Sequence, residues 1–164
     1  MRVLFVVPEI RLDTAPNHFP FWAGILAAIV EQKGGQVAIL DLNALREHYG
    51  GKLVPTKKIM DEISSEKWDI IGIGGLSSMY EDIKKLLYIC RKLNPNALIV
   101  CGGGFITYMP QKMMEFNSEI DIAVIGEAEE TWRELLRAFD SKQWGKIKGI
   151  CYRQENEIVF TEPR

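Results

Sequence analysis

Four stretches of this chain carry residue types and spacings able to do chemistry, and each follows a short apolar run. Gly72-Ile73-Gly74-Gly75-Leu76-Ser77 comes close to a dinucleotide-binding glycine loop. It follows the third apolar run rather than the first, and no acid closes the next run at Cys101 to hold a ribose, so the context argues against a dinucleotide. Gly102-Gly103-Gly104 ends the fourth run. Glycines there either let main chain close onto a bulky ligand or make a tight strand-to-helix turn. Glu127, Glu129 and Glu130 follow the fifth run, where carboxylates favour a helix N-terminus and repel a phosphate. The connection from Pro8 to Pro20 runs to about a dozen residues where about 2 to 6 are usual, an excess that points to function. It holds Glu9, Arg11, Asp13, Asn17 and His18. His18 with Asp13 or Glu9 reads either as a base acting on a small substrate or as a surface histidine.

Other chemistries lack their residues. Cys90, Cys101 and Cys151 are an odd number at wide spacing, which makes neither a disulfide framework nor a thiolate metal site and suits a reducing cytoplasm. His18 and His48 have no neighbouring ligands in sequence, so zinc is unsupported. A flavodoxin would need a hydroxyl-rich phosphate loop after the first strand, where Pro8-Glu9-Ile10 stands instead. A phosphoacceptor receiver would need an aspartate and a lysine where Gly74 and Gly126 stand. With 22 acids against 20 bases and a net charge of -2, no basic field exists for nucleic acid or anionic lipid. No apolar stretch approaches the ~20 residues that span a bilayer, and no export signal is evident.

The elements that must position these loops alternate regularly. Apolar runs at Val3 to Val7, Gln36 to Leu40, Ile70 to Ile73, Leu98 to Cys101 and Ile122 to Ile125 are separated by helical patterns, which predicts parallel strands covered on both faces. A helix after Pro20 carries Trp22, Ile25, Leu26, Ile29 and Val30. A shorter one carries Ile59, Met60 and Ile63, and a third, opened by a Ser78/Glu81 capping box, carries Ile83, Leu86, Leu87, Cys90 and Leu93. Pro110 to Phe116 makes a fourth, and Trp132, Leu135, Leu136 and Phe139 mark the fifth. Met109, Met113 and Met114 read as core filling. Gly149 to Arg153 and Glu157 to Thr161 form a hairpin extending one edge, and Thr161 to Arg164 reads as a frayed end or a cut. The expectation is an α/β fold, Rossmann-like or flavodoxin-like, with a five-stranded parallel sheet in the order 2-1-3-4-5, helices on both faces and a C-terminal β-hairpin. Its 164 residues make one domain, with a core over 1–140 and the hairpin over 147–161.

Taken in order, several blocks resemble the cobalamin-binding domains fused to radical SAM enzymes. They are Phe19 to Ala28, Asp41, Trp68 to Ile73, Gly102-Gly103-Gly104, Asp121 to Thr131 with its Gly-Glu-x-Glu-x-Thr run, and Ile147 to Arg153. The resemblance implies a Rossmann-like domain whose strand ends cradle a corrin, with the nucleotide tail buried against the sheet. It also implies a following radical SAM domain, absent here, that holds an iron-sulfur cluster and S-adenosylmethionine through CxxxCxxC. This chain then reads as the isolated N-terminal domain of a methyltransferase or of a protein similar to the anaerobic magnesium-protoporphyrin monomethyl ester cyclase.

By the same resemblance, Leu76, Ser77, Ser78 and Met79 lie against one side of the corrin. Gly102, Gly103, Gly104 and Phe105 face its tail and edge, and Gly126, Glu127 and Thr131 close the remaining side. Ser77 and Ser78 also read as helix caps, and Trp22 and Phe21 as either ring-stacking or, for Trp22, core. The DxHxxG of methionine-synthase-like domains is missing, which implies base-off cobalamin without a histidine ligand. The alternative is a flavodoxin-like docking or regulatory module that binds no corrin.

Overall fold

Strands form where β-branched and apolar residues run together: β1 (Arg2–Val7), β2 (Gln36–Asp41), β3 (Ile70–Gly74), β4 (Leu98–Gly102) and β5 (Ile122–Val124). They are parallel and lie in the order β2-β1-β3-β4-β5. The hairpin strands β6 (Ile150–Gln154) and β7 (Glu157–Phe160) continue that sheet antiparallel beyond β5. The computed structural model describes residues 1–10, 19–155 and 157–164. The expected strand order and hairpin are therefore those observed, as one seven-stranded mixed sheet.

Two apolar layers sandwich the sheet, because alternate side chains on buried parallel strands point to opposite faces. On one face Leu4, Val6, Ile71, Ile73, Ile99 and Cys101 meet helices α2 (Leu42–Glu47), α3 (Thr56–Ser64), α4 (Tyr80–Leu93), α5 (Gly104–Tyr108) and α6 (Pro110–Phe116). On the other, Val3, Phe5, Val7, Ile70, Val100 and Val124 meet α1 (Phe21–Gln32) and α7 (Glu129–Ala138). Fully burying one such side chain contributes about 1.5–3 kcal/mol, so each layer is held by its stripe rather than by polar contacts.

Several local expectations are corrected. Among the described residues there are seven helices rather than five: α2 and α5 are short and were expected as loop. The Ser78/Glu81 capping box does not form. Ser77–Met79 is itself a 3-10 turn, so Ser78 lies inside helical geometry, and α4 begins at Tyr80 with Met79 at its cap and no side-chain capping bond. Met113 and Met114 are buried as expected, but Met109 is exposed. The C-terminus is tied down rather than frayed. The Thr161 amide donates to the Ile150 carbonyl, the Gly149 amide to the Glu162 carbonyl, and Arg164 binds Glu134 and Thr131.

Candidate functional site

The sheet reverses its winding between β1 and β3, where crossovers depart to opposite faces, and open α/β sheets hold their ligands above the strand ends at such a point. A cleft of about 350 Å³ opens there and runs down between the sheet and the pair α1 and α7. Glycines cut it. On β3 the residues facing α1 and α7 are Ile70, Gly72 and Gly74, while Ile71 and Ile73 fill the opposite face. A β-carbon on Gly72 would lie 2.6 Å from the Phe5 ring, and one on Gly74 would lie 3.1 Å from Trp22. Across the ladder Gly74 pairs with Gly102, so two bare positions sit side by side. A β-carbon on Gly102 would have Val124 as its nearest neighbour, at 3.9 Å, in otherwise open space. The Phe5 ring packs over Gly72 and the Trp22 indole over Gly74, so the open part of the cleft lies at Gly102, floored by Val100 and Val124 and walled by Phe5, Trp22, Leu26 and Trp132.

Gly103 has φ +92, and a β-carbon on it would stand 2.6 Å from the Gly75 carbonyl oxygen. Only glycine lets the ends of β3 and β4 approach this closely. The Gly126 amide donates to Thr107 Oγ1 at 3.1 Å, which pins the loop after β5 to α5. On the near side of the sheet, Asn43 clamps the chain leaving β1. Its Oδ1 accepts from the Ile10 amide at 2.8 Å and its Nδ2 donates to the Pro8 carbonyl at 2.8 Å, while Asp41 caps α2 by accepting from the Asn43 amide. Pro8 and Ile10, held this way, line the cleft.

The cleft wall is apolar. Phe5 packs edge-on to Trp22, with centroids 5.9 Å apart, and tilted against Trp132 at 5.2 Å. The Trp132 Nε1–H is buried with no acceptor among the described residues. Glu127, which is exposed, and Glu129, half-buried at the start of α7, edge the opening. No lysine, arginine or histidine among the described residues lines the cleft, so it has no side-chain cation for a phosphate.

Of the residues singled out by sequence, Leu76, Met79, Gly102, Gly103, Gly104, Gly126 and Glu127 line this cleft. Four do not. Ser77 and Ser78 are exposed on the 3-10 turn beside it, and Phe105 is buried in the layer on the opposite face. Thr131 is fully buried, with its hydroxyl donating to the Lys148 carbonyl and accepting from Arg164. Glu127 precedes α7 rather than lying in its first turn. Trp22 is at once core and cleft wall, whereas Phe21 is exposed and packs on Phe19. Phe5, Leu26, Val100, Val124 and Trp132 were not expected in the site. Their signal was the alternation Ile-Gly-Ile-Gly in β3, which strips one face of a strand and leaves the other filled.

Glu9 turns away from the cleft. It lines a second hollow on the α3 and α4 side and accepts from the Val54 amide at 3.1 Å. Burial raises its carboxyl above the ordinary range, against the lowering effect of the Val54 amide and Arg46 and with a smaller push from Asp82. It is not placed to act on a ligand in the cleft. Asp13 and His18 lie outside the described residues. His48 is exposed at the end of α2. The cysteines are buried free thiols. Burial pushes Cys90 up to about 12, Cys151 up to about 11 and Cys101 well above the ordinary thiol value, which makes them poor nucleophiles. Among the described residues no cluster of three or more His, Cys, Asp or Glu could hold a metal.

Fold and cleft together define a doubly wound α/β domain with an apolar cleft at glycine-rich strand ends and, among the described residues, no side-chain cation lining it. The B12 binding domain family matches residues 10–136, and the chain belongs to that family, whose cofactor is cobalamin. It is 25% identical over 168 residues to the anaerobic magnesium-protoporphyrin IX monomethyl ester cyclase of Cereibacter sphaeroides, covering 98% of this chain and 26% of the cyclase. The radical S-adenosylmethionine methyltransferase TsrM from Kitasatospora setae, solved with cobalamin and a [4Fe-4S] cluster bound, superposes with a TM-score of 0.79 at 22% identity, over 99% of this chain and 29% of that one. The cobalamin-dependent radical enzyme OxsB, solved with aqua-cobalamin and S-adenosylmethionine, gives 0.77 at 18% identity, over 99% and 22%. The chain therefore spans about a quarter of the length of the cyclase it matches. No described helix is long and apolar enough to cross a membrane.

Proposed function

We propose that the chain serves as the cobalamin-binding domain of a radical SAM protein, a methyltransferase or a cyclase, holding the cofactor base-off with no axial histidine from its described residues. The observation that carries this is the apolar trench left open at Gly102, beside the Phe5 and Trp22 rings that pack over Gly72 and Gly74. It is deep, apolar and too small for a corrin, but of a size with small-ligand pockets, which start at about 300 Å³. Leu76 to Met79, the Gly102–Gly104 turn with Phe105 behind it, and Gly126-Glu127 with Thr131 supporting them would hold the cofactor, with the apolar trench open to its nucleotide tail. Cobalamin, when bound, supplies a cobalt centre able to carry a methyl group.

The residues of this chain do the holding. Gly103 brings main chain to the ligand's edge, Asn43 fixes the Pro8–Ile10 wall, and Trp22, Leu26 and Trp132 exclude water. The absence of a side-chain cation among the described residues disfavours a phosphate in the trench. The chain acts as one binding domain over residues 1–164, and the chemistry belongs to the radical SAM part of the longer protein, with its iron-sulfur cluster and S-adenosylmethionine. The three unpaired thiols support a reducing, cytoplasmic setting. Mixing the purified chain with hydroxocobalamin and desalting tests the reading. Retention of the corrin spectrum with a raised melting temperature is expected. A colourless protein with an unshifted melt would leave the docking-module reading instead.

A further inference from the structure

We propose that the second hollow, on the α3 and α4 side of the sheet, is a binding site for a small apolar primary ammonium ion, whose charged head pairs with the Glu9 carboxylate and whose hydrocarbon body lies along the two helices. The hollow measures about 360 Å³, and small-ligand pockets start at about 300 Å³. Its wall is hydrocarbon from the buried Leu42, Val54, Ile59 and Leu86, with the exposed Leu53 and Tyr88 at its rim. Glu9 breaks that pattern, lining the hollow while only 9% exposed. Its Oε1 accepts from the Val54 amide at 3.1 Å, and its Oε2 has no hydrogen-bond partner among the described residues.

An ionised carboxylate accepts several hydrogen bonds, and one held out of water with a single amide donor is costly until a cation meets it. The lysines that line the hollow are engaged elsewhere. Lys85 pairs with Asp82 at 3.4 Å, and the Lys92 ammonium lies 5.7 Å from the centroid of the Tyr88 ring. Arg46 pulls the Glu9 carboxyl down, but burial outweighs it and Asp82 adds to the rise, so the surroundings of Glu9 leave room for a further positive charge. A primary ammonium brings three N–H donors, one of which meets Oε2 in a charge-assisted bond. An alcohol of the same length gains the apolar contact without the charge, and a carboxylate would face both Glu9 and Asp82. The site stands apart from the cleft: Pro8 and Ile10 line the cleft while Glu9 between them lines the hollow, and Asn43 pins both neighbours.

Titrating the isotope-labelled chain with n-hexylammonium, n-hexanol and hexanoate, followed by amide NMR, tests the site. The Val54 amide is the reporter, because it donates to Glu9. n-Hexylammonium should shift it saturably and bind at least about tenfold tighter than n-hexanol, equivalent to about 1.4 kcal/mol, while hexanoate leaves it in place. Glu9→Gln keeps an acceptor for the Val54 amide and should bring the amine down to the affinity of the alcohol. Equal binding of amine and alcohol by the wild-type chain, or no response of Val54 to the amine, overturns the proposal. An amine preference that survives in Glu9→Gln overturns it too, since the charge then comes from another group. None of these results depends on cobalamin, whose retention reports on the cleft alone.

Discussion

Gly103 shows how much one missing side chain decides. Its φ of +92 and the 2.6 Å separation of a would-be β-carbon from the Gly75 carbonyl leave no relaxed place for alanine. Gly103→Ala should cost about 1–3 kcal/mol, read as a lower urea midpoint, and should weaken cobalamin retention because the ends of β3 and β4 move apart. Gly126 shares a positive φ, +78, but a β-carbon there would meet nothing within 4 Å. Gly126→Asn, a residue that tolerates this conformation, should therefore melt close to the wild type. Equal melting losses for the two variants would show that close approach is not what Gly103 provides.

At the scale of elements, the wall beside β1 depends on α2, which holds the chain through one buried side chain. Asn43→Ala leaves the Pro8 carbonyl and Ile10 amide without their partner and should cost about 1–3 kcal/mol in urea unfolding. An unchanged midpoint would mean that the clamp is idle. This device was not legible in sequence, because Asp41 and Asn43 read as loop residues until α2 places them against β1. The parallel strands and their order were legible, because each strand is a short apolar run between strongly periodic helices. The glycine triplet after β4 was legible as a place of close approach, but the trench floor was not. Phe5, Val100 and Val124 are ordinary buried strand residues, and their place in the cleft lining follows only from the packing of Phe5 over Gly72 and the bare position at Gly102 beside Val124. The helical turn at Ser77–Met79 hid for a related reason: Ser78 and Glu81 have the capping spacing, yet the turn starts earlier.

For the whole molecule, pH and ligand give separate readouts. Glu9 is held above its ordinary titration range chiefly by burial, so the folded state binds its proton more tightly than the unfolded state. Its contribution favours folding while the carboxyl is protonated and is lost as pH rises from the ordinary carboxylate value through the raised one. Glu9→Gln keeps an acceptor for the Val54 amide and should remove that slope from melting curves recorded across mildly acidic to neutral pH. The same slope in both proteins would mean that Glu9 is solvated. Because Glu9 faces the hollow opposite the cleft, this change should leave cobalamin affinity unaltered.

The most direct measurement compares hydroxocobalamin affinity of the wild type with that of Gly102→Leu. A β-carbon at position 102 has room, with its nearest neighbour at 3.9 Å and no left-handed backbone to strain, so the variant should fold with an unchanged or higher melting temperature while its side chain fills the trench. The account predicts at least about a hundredfold weaker binding, equivalent to about 2.7 kcal/mol. Wild-type affinity in a well-folded Gly102→Leu would contradict it.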